Sequence, residues 1–295
     1  MTGIKWSRKS TRKVSAELTR EGHPVSRGTA ARLLKDMDYS LQVNVKRLSG
    51  KRHPDREPQF QRIEKRVQEY RREGLPVLSV DAKKKELVGN FYNEGRIWRQ
   101  EELAVNDHDF LRDAIGKAVP YGIYDLVRNH GLVTVGTSRE TATFGVDSLS
   151  CWYQLIGRQQ YPDADRLLLL CDNGGCNGSR NRLWKYELQQ FCDRFGIAVE
   201  VAHYPPGASK WNPIEHRLFS FITMNWAGQP LRSFETVLNY IRTTRTTSGL
   251  RVRALLLPKH YEKGVKVTDE EMRAVRLRRA RLLPCWNYTI RPGRN

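Results

Sequence analysis

The chain has 295 residues, of which 51 are Lys or Arg and 32 Asp or Glu, a formal net charge of +19. That surplus excludes an acidic solvating protein and points to a polyanionic partner. The longest wholly apolar run, Leu167 to Cys171, is far too short to span a membrane, so nucleic acid is the expected polyanion and a membrane is not. Met1 to Trp6 holds no apolar signal stretch, and a cytoplasmic, nucleoid-associated protein is expected. The 5 cysteines are odd in number and never spaced as CxxC, which argues against a disulfide framework or structural zinc.

The positive charge sits at the two ends. Residues 1–53 hold 13 Lys or Arg against 4 Asp or Glu, and residues 270–295 hold 7 Arg against 2 Glu. Residues 10–37 read as two helices joined by the turn Gly22-His23-Pro24. Ser26 suits the second N-cap, and Ala30, Leu33, Leu34 and Met37 follow at helical spacing. This is a helix-turn-helix pattern, whose second helix enters the major groove by its N-terminal end. That end offers Arg27, Thr29 and Arg32 to DNA.

Residues 43–58 read as a basic linker. Phe60, Ile63, Val67 and Tyr70 mark an amphipathic helix, which Gly74 and Pro76 end. Val77 to Val80 is a buried strand ending at Asp81. Leu87 to Tyr92 is a second strand, after the basic turn Lys83-Lys84-Lys85. Phe110, Leu111, Ala114 and Ile115 suggest a helix. Leu132 to Val135 is a third strand and Leu149 to Ile156 a helix. Leu167 to Cys171 is an apolar strand of the kind covered on both faces. A helix over Leu183–Phe195, a strand at Val199–Val201 and a helix over Ile214–Trp226 follow. Three strands and then alternating α and β is the order of an α/β RNase H-like fold, a mixed sheet flanked by helices.

Beyond it, Phe234, Val237, Leu238 and Ile241 form an amphipathic helix, and Leu255 to Leu257 an apolar run. A helix opening at a Thr268…Glu271 capping box carries Arg273, Arg276, Arg278, Arg279 and Arg281. Arg276 and Arg279 are candidate phosphate contacts. The expected organisation is a DNA-binding segment over 1–52, a linker and helix over 53–76, a catalytic core over 77–228 and a basic extension over 229–295. The extension is also a candidate bridge between copies.

Three acids stand out by position. Asp81 follows the first strand. Asp172 follows the most apolar strand and precedes Asn173-Gly174-Gly175. Glu215 lies in Asn212-Pro213-Ile214-Glu215, at the start of a helix. Each has an ordinary structural reading: Asp172 opens an Asp/Asn/Gly turn, and Glu215 completes a capping box with Asn212 as N-cap. Together they suit two-metal phosphoryl chemistry, in which carboxylates converge on two cations. Oxygen ligands favour Mg²⁺, with Mn²⁺ as substitute.

Three motifs carry a family resemblance: Ser79 to Asn90 (SVDAKKKELVGN), Asp172 to Arg180 (DNGGCNGSR) and Pro205 to Ser220 (PPGASKWNPIEHRLFS). With them the chain resembles the Rhodopirellula-type DDE transposases of bacterial insertion sequences, relatives of the mariner-like superfamily. The resemblance runs from the helical hairpin to Trp286-Asn287-Tyr288-Thr289-Ile290. It implies that Asp81, Asp172 and Glu215 form the catalytic, metal-binding triad. It further implies double-stranded DNA as partner, the inverted-repeat ends and the target; since one triad serves one end at a time and an element has two ends, a homo-oligomer on DNA is expected. The alternatives are a nuclease of the same fold and a non-catalytic remnant. The Asp172-to-Glu215 interval of 43 residues is longer than in mariner-like relatives and predicts a short insertion. Family members carry a further DNA-binding segment upstream, so the start at Met1 predicts a truncated chain. Near the acids, Lys83, Lys84, Lys85 and Lys210 are candidate contacts to DNA phosphates.

Overall fold

The structure, a computed structural model, describes residues 9–41 and 53–293. Most of the linker expected over 43–58 lies outside them. The chain divides into two compact units, Met1–Ser49 and Gly50–Asn295.

In the first unit, α1 (Thr11–Arg20) and α2 (Arg27–Asp36) are each opened by a serine. Ser10 Oγ accepts the Lys13 N–H at 3.3 Å and Ser26 Oγ accepts the Thr29 N–H at 3.0 Å. These bonds satisfy donors that a helix start otherwise leaves open. Gly22 turns the chain between the helices at φ 88°, a conformation that favours glycine. The Ser15 hydroxyl donates to the Val25 carbonyl across the turn at 2.5 Å. Ala30 is buried, whereas Leu33 and Met37 are exposed.

The second unit begins with α3 (Arg56–Arg72) and then builds a mixed sheet. Its strands are β1 (Val77–Ala82), β2 (Glu86–Val88), β3 (Gly116–Asp125), β4 (His130–Gly136), β5 (Arg166–Cys171), β6 (Ala198–His203), β7 (Arg251–Leu257), β8 (Leu277–Arg279) and β9 (Asn287–Ile290). The spatial order is β7-β4-β3-β1-β5-β6-β9-β8, with β2 paired to β3. β1, β3 and β4 are antiparallel neighbours, and β5 and β6 run parallel to β1. The central order β4-β3-β1-β5-β6 is that of an RNase H-like sheet.

Helices cover both faces. α4 (Ala142–Trp152), a π turn over Tyr153–Gly157, α5 (Arg158–Gln160) and α6 (Arg182–Phe195) lie on one side. There Phe144, Trp152, Trp184 and Phe191 bury against Leu78, Val80, Leu167 and Leu169. On the other side α3 packs Ile63 and Tyr70 against Val77, Leu168 and Leu170. α7 (Ser220–Trp226), with the turn before it that holds Leu218, and α8 (Phe234–Thr243) cover β3 and β4 there, through Leu218, Ile222, Trp226, Val237 and Ile241. Alternate residues of β1 and β5 thus face opposite helix layers, which is why the strand at 167–171 is apolar throughout. Among the described residues, no helix is long and apolar enough to cross a membrane.

Several sequence expectations need correction. The second central strand is β3, over Gly116–Asp125, and not the segment Leu87–Tyr92, of which only Leu87 and Val88 are in a strand, the short β2. The helix expected around Phe110–Ile115 is a single 3-10 turn, Leu111–Asp113, with Phe110, Leu111 and Ile115 exposed. Without a surface to bury them, their helical spacing has nothing to stabilise it.

The helix expected to carry the C-terminal arginines stops early. The Thr268…Glu271 capping box forms, but α9 spans only Asp269–Ala274. Val275 turns into the core, and Gln189 accepts the Arg276 backbone N–H at 2.8 Å. Leu277–Arg279 then pairs with β9. Arg276 and Arg279 are therefore on extended chain. The apolar parts of 229–295 are also not a free bridging surface. Val237, Leu238 and Ile241 lie in the unit's own core, and Arg251–Leu257 is a sheet strand parallel to β4.

Candidate active site

β1 and β5 are parallel neighbours in which Ser79 is level with Leu170 and Val80 with Cys171. One step on, Asp81 is still in β1, paired with Gly122 of β3, and Asp172 is the first residue after β5, so both acids lie at the carboxyl ends of these neighbouring strands. Alternation puts both carboxylates on the face covered by α3 and α7. Glu215 opens a π turn, Glu215–Phe219, that runs into α7. Such turns recur at functional sites because they re-aim side chains.

Two glycines let this turn sit close to the sheet. A Cβ on Gly122, which pairs with Asp81, would meet the Phe219 ring at 2.6 Å and Ile214 at 2.8 Å. A Cβ on Gly131 would meet Leu218 at 2.7 Å.

A buried polar chain ties the start of this turn to both strands. The Ser79 hydroxyl donates to Asn212 Oδ1 and accepts the Ile214 N–H at 3.0 Å. Asn212 Nδ2 donates to Asp172 Oδ1 at 3.0 Å. Asn212 is fully buried, and its side chain turns inward instead of capping the helix as the sequence suggested. Glu215 likewise forms no capping box; its backbone N–H donates to the Asn212 carbonyl at 3.1 Å.

His203, also fully buried, lies 3.0 Å through Nδ1 from the Asp172 carbonyl and 3.1 Å through Nε2 from the Tyr288 hydroxyl. A carbonyl only accepts, so Nδ1 carries the proton and Nε2 accepts from Tyr288. Burial lowers the His203 pKa to about 4, which keeps this neutral tautomer.

The three acids resist ionisation. Burial pushes Asp81 up to about 8, reinforced by Asp172, Glu215 and Glu140. Burial also raises Asp172, partly offset by the Asn212 amide. Glu215 is raised by burial and by Asp172, against the opposing pull of Lys83 and His216. Among the described residues, no three His, Cys, Asp or Glu groups already stand close enough to share one ion. The donor chemistry nonetheless fits a divalent cation: three carboxylates offer hard oxygen, and a cation would relieve the repulsion that Asp172 exerts on Asp81 and Glu215.

A family model described as Rhodopirellula transposase DDE domain matches residues 1–292. The chain belongs to this family. Solved structures of Mos1 transposase are also similar. The paired-end complex with the left transposon end gives a TM-score of 0.47 at 14% identity, covering 82% of this chain and 72% of that one. The pre-cleavage Mos1 transpososome gives 0.48 at 14% identity over 82% and 72%. The Mos1 mariner paired-end complex with Mn gives the same score, identity and coverage. No curated protein matches the sequence.

In this transposase-family chain the basic residues singled out from sequence divide into several settings. Lys83 is buried, pairs with Glu86 at 3.3 Å and lies 4.6 Å from the Trp226 ring centre, so it is not a free phosphate contact. Burial lowers its pKa. Lys84 is exposed, and Lys85 pairs with Glu140 at 3.1 Å. Lys210 is exposed with its ammonium 4.2 Å from the Trp211 ring centre; Arg56 lies 4.4 Å from the same ring. Arg27 and Arg32 are exposed on α2, while the Thr29 hydroxyl lies 3.0 Å from Ser26 Oγ at its N-cap. Arg276 is exposed, and Arg279 donates to the Pro284 carbonyl at 3.0 Å. The sequence reading missed Ser79, Asn212, His203, Gly122 and Gly131. A serine inside an apolar strand was the one available signal for Ser79.

Proposed function

We propose that this chain is a DDE transposase that binds the ends of its element, cleaves DNA and joins the 3′ ends to target DNA. The observation that supports this reading is the placement of Asp81 and Asp172 at the carboxyl ends of neighbouring parallel strands, with Glu215 within their electrostatic reach. Asp81, Asp172 and Glu215 are the residues that would hold Mg²⁺, with Mn²⁺ as substitute. When bound, such ions supply activation of the attacking oxygen and charge stabilisation at the leaving oxygen.

The chain's own residues do the rest. Asn212 holds one Asp172 carboxylate oxygen, and His203 holds the Asp172 carbonyl. Ser79 keeps the start of the Glu215 turn on β1. Lys84, Lys85 and Lys210 lie on loops next to the acids, where DNA phosphates approach. Arg27 and Thr29 lie in the first turn of α2 and Arg32 at its middle, on the helix that would read the element's end in the major groove. Arg276 and Arg279 add phosphate contacts from extended chain. A homo-oligomer on paired ends follows from the chemistry, since one triad serves one end at a time.

The test is replacement of each acid by alanine in the full chain. Cleavage in Mg²⁺ should be lost in all three variants while DNA binding persists. A Glu215→Ala enzyme cutting at near wild-type rate would remove Glu215 from the site. Strand-transfer products distinguish a transposase from a nuclease that only hydrolyses.

A further inference from the structure

The carboxyl ends of β1 and β5 share one edge of the sheet with the ends of other strands. β3 runs antiparallel to β1, so its start at Gly116 lies at that edge, as do the exits of β4 and β7. A cleft of about 410 Å³ opens there, lined by Lys85, Lys117, Thr137, Ser138, Arg139, His260 and Lys263. No acidic residue lines it. Lys117, Arg139, His260 and Lys263 are exposed, and among the described residues none has an ion-pair partner.

This arrangement is fixed in place. The loop after β7 is anchored by Tyr261, which is buried, packs on Phe144 at 5.1 Å and donates to Asp147 at 2.9 Å. Ser138, beside Arg139, donates to the Lys259 carbonyl at 3.2 Å and accepts the Tyr261 N–H at 3.1 Å. Those bonds hold His260 and Lys263 against the exit of β4. Lys85 is already paired with Glu140, but Lys117, Arg139 and Lys263 face one another without such partners, and an anion is what relieves their repulsion.

We propose that this cleft binds the phosphate backbone of the DNA strand that runs to the acids, with Lys117, Arg139 and Lys263 as its main contacts. The inference rests on the transposase reading. β4 and β7 lie two and three strands from β1, so the cleft is about 10–15 Å from Asp81. A duplex lying along that line advances about 3.4 Å of its axis per phosphate of one strand. The cleft therefore meets phosphates about three to four nucleotides from the bond held at the acids. Lys85, which also lines the neighbouring cleft with Glu140 and Gly175, links the two regions.

The experiment measures binding of a random-sequence duplex to the full chain across a salt series. The cleft variant K117A/R139A/K263A is compared with R72A/R158A/R194A, which removes the same charge at the opposite edge of the sheet. The cleft variant should lower the slope of log affinity against log salt by about 2 to 3, since each phosphate contact contributes about 0.9. The control should leave it unchanged, and K117R/K263R should retain the wild-type slope. Thermal melting of each variant checks that the fold is intact. A wild-type slope in the cleft variant, or an equal loss in the control, overturns the cleft alone while the wild type still binds and cuts. A wild type whose binding shows no salt dependence would overturn the transposase reading with it.

Discussion

Asn212 donates its side-chain amide to Asp172 at 3.0 Å, from a residue 40 positions further along the chain. The same amide's oxygen accepts from Ser79 on β1. One buried side chain therefore connects both strands and the turn that carries Glu215. Removing it leaves the Ser79 hydroxyl without its acceptor and one Asp172 oxygen without its amide donor.

Asn212→Ala should lower cleavage by about 10–100-fold, the usual effect of removing a partner that orients a ligand. It should cost about 1–3 kcal/mol of stability through the unpaired buried groups. DNA affinity should hardly change. Asn212→Asp should be worse, because it adds a fourth carboxylate beside three that already resist ionisation. Single-turnover cleavage and denaturant melts of both variants check this. Equal activity in the aspartate variant would show that the amide does not orient Asp172.

The three candidate acids stand out in the sequence because two come at the ends of apolar strands and one opens a helix after Asn-Pro. What holds them was not. Ser79, Asn212 and His203 meet only through pairings distant in sequence, and Asn212 looked like a satisfactory N-cap. β3 was hidden by Gly116, Pro120 and Gly122, residues that ordinarily mark turns. Pro120 is tolerated because its carbonyl accepts the Lys83 N–H where β1 is already leaving the sheet. A residue's N and C=O point to the same side of a strand, so the missing donor falls on that side, where the ladder ends. The C-terminal arginines misled in the opposite way. Their helical capping box is real, but pairing with β9 ends the helix within two turns.

Gly122 should be intolerant of even a methyl group. Gly122→Ala would press a Cβ into the Phe219 ring and Ile214, and overpacking of this kind costs about 1–3 kcal/mol. Because the displaced segment carries Glu215, cleavage should fall further than stability alone explains. Phe219→Leu in the same chain should recover part of both. A double-mutant cycle in thermal melts measures the coupling, and simple additivity would count against the contact.

Asp81 predicts a distinctive pH dependence of stability without metal. Its folded pKa of about 8 lies above the ordinary 3.8, so the folded state holds the proton more tightly than the unfolded chain. The metal-free fold therefore loses stability as pH rises from 3.8 towards about 8. Asp172 and Glu215 are raised as well and add in the same direction. Melting in chelator should give a higher Tm at pH 5 than at pH 8, and Asp81→Asn should flatten that difference. Mg²⁺ should raise Tm more at pH 8 than at pH 5, since it binds the ionised carboxylates. An unchanged pH profile in Asp81→Asn would remove Asp81 as its source.

The first unit should supply selectivity for the element's ends. Arg27 and Arg32 lie exposed in α2, whose start is fixed by Ser26 and Thr29. A side chain that reads a base edge contributes about 1–3 kcal/mol of discrimination, while one that touches a phosphate weakens all sequences alike. Arg27→Ala in the full chain should therefore reduce preference for the element's end by about 5–150-fold, the ratio those energies give, and leave random-DNA affinity nearly unchanged. Arg32, one turn further along, should reveal whether it faces base or backbone by the same comparison. Competition binding between an end fragment and random duplex at fixed salt reads both. An Arg27→Ala variant that loses affinity equally for the two DNAs would make Arg27 a phosphate contact. Selectivity would then have to come from another residue at the start of α2.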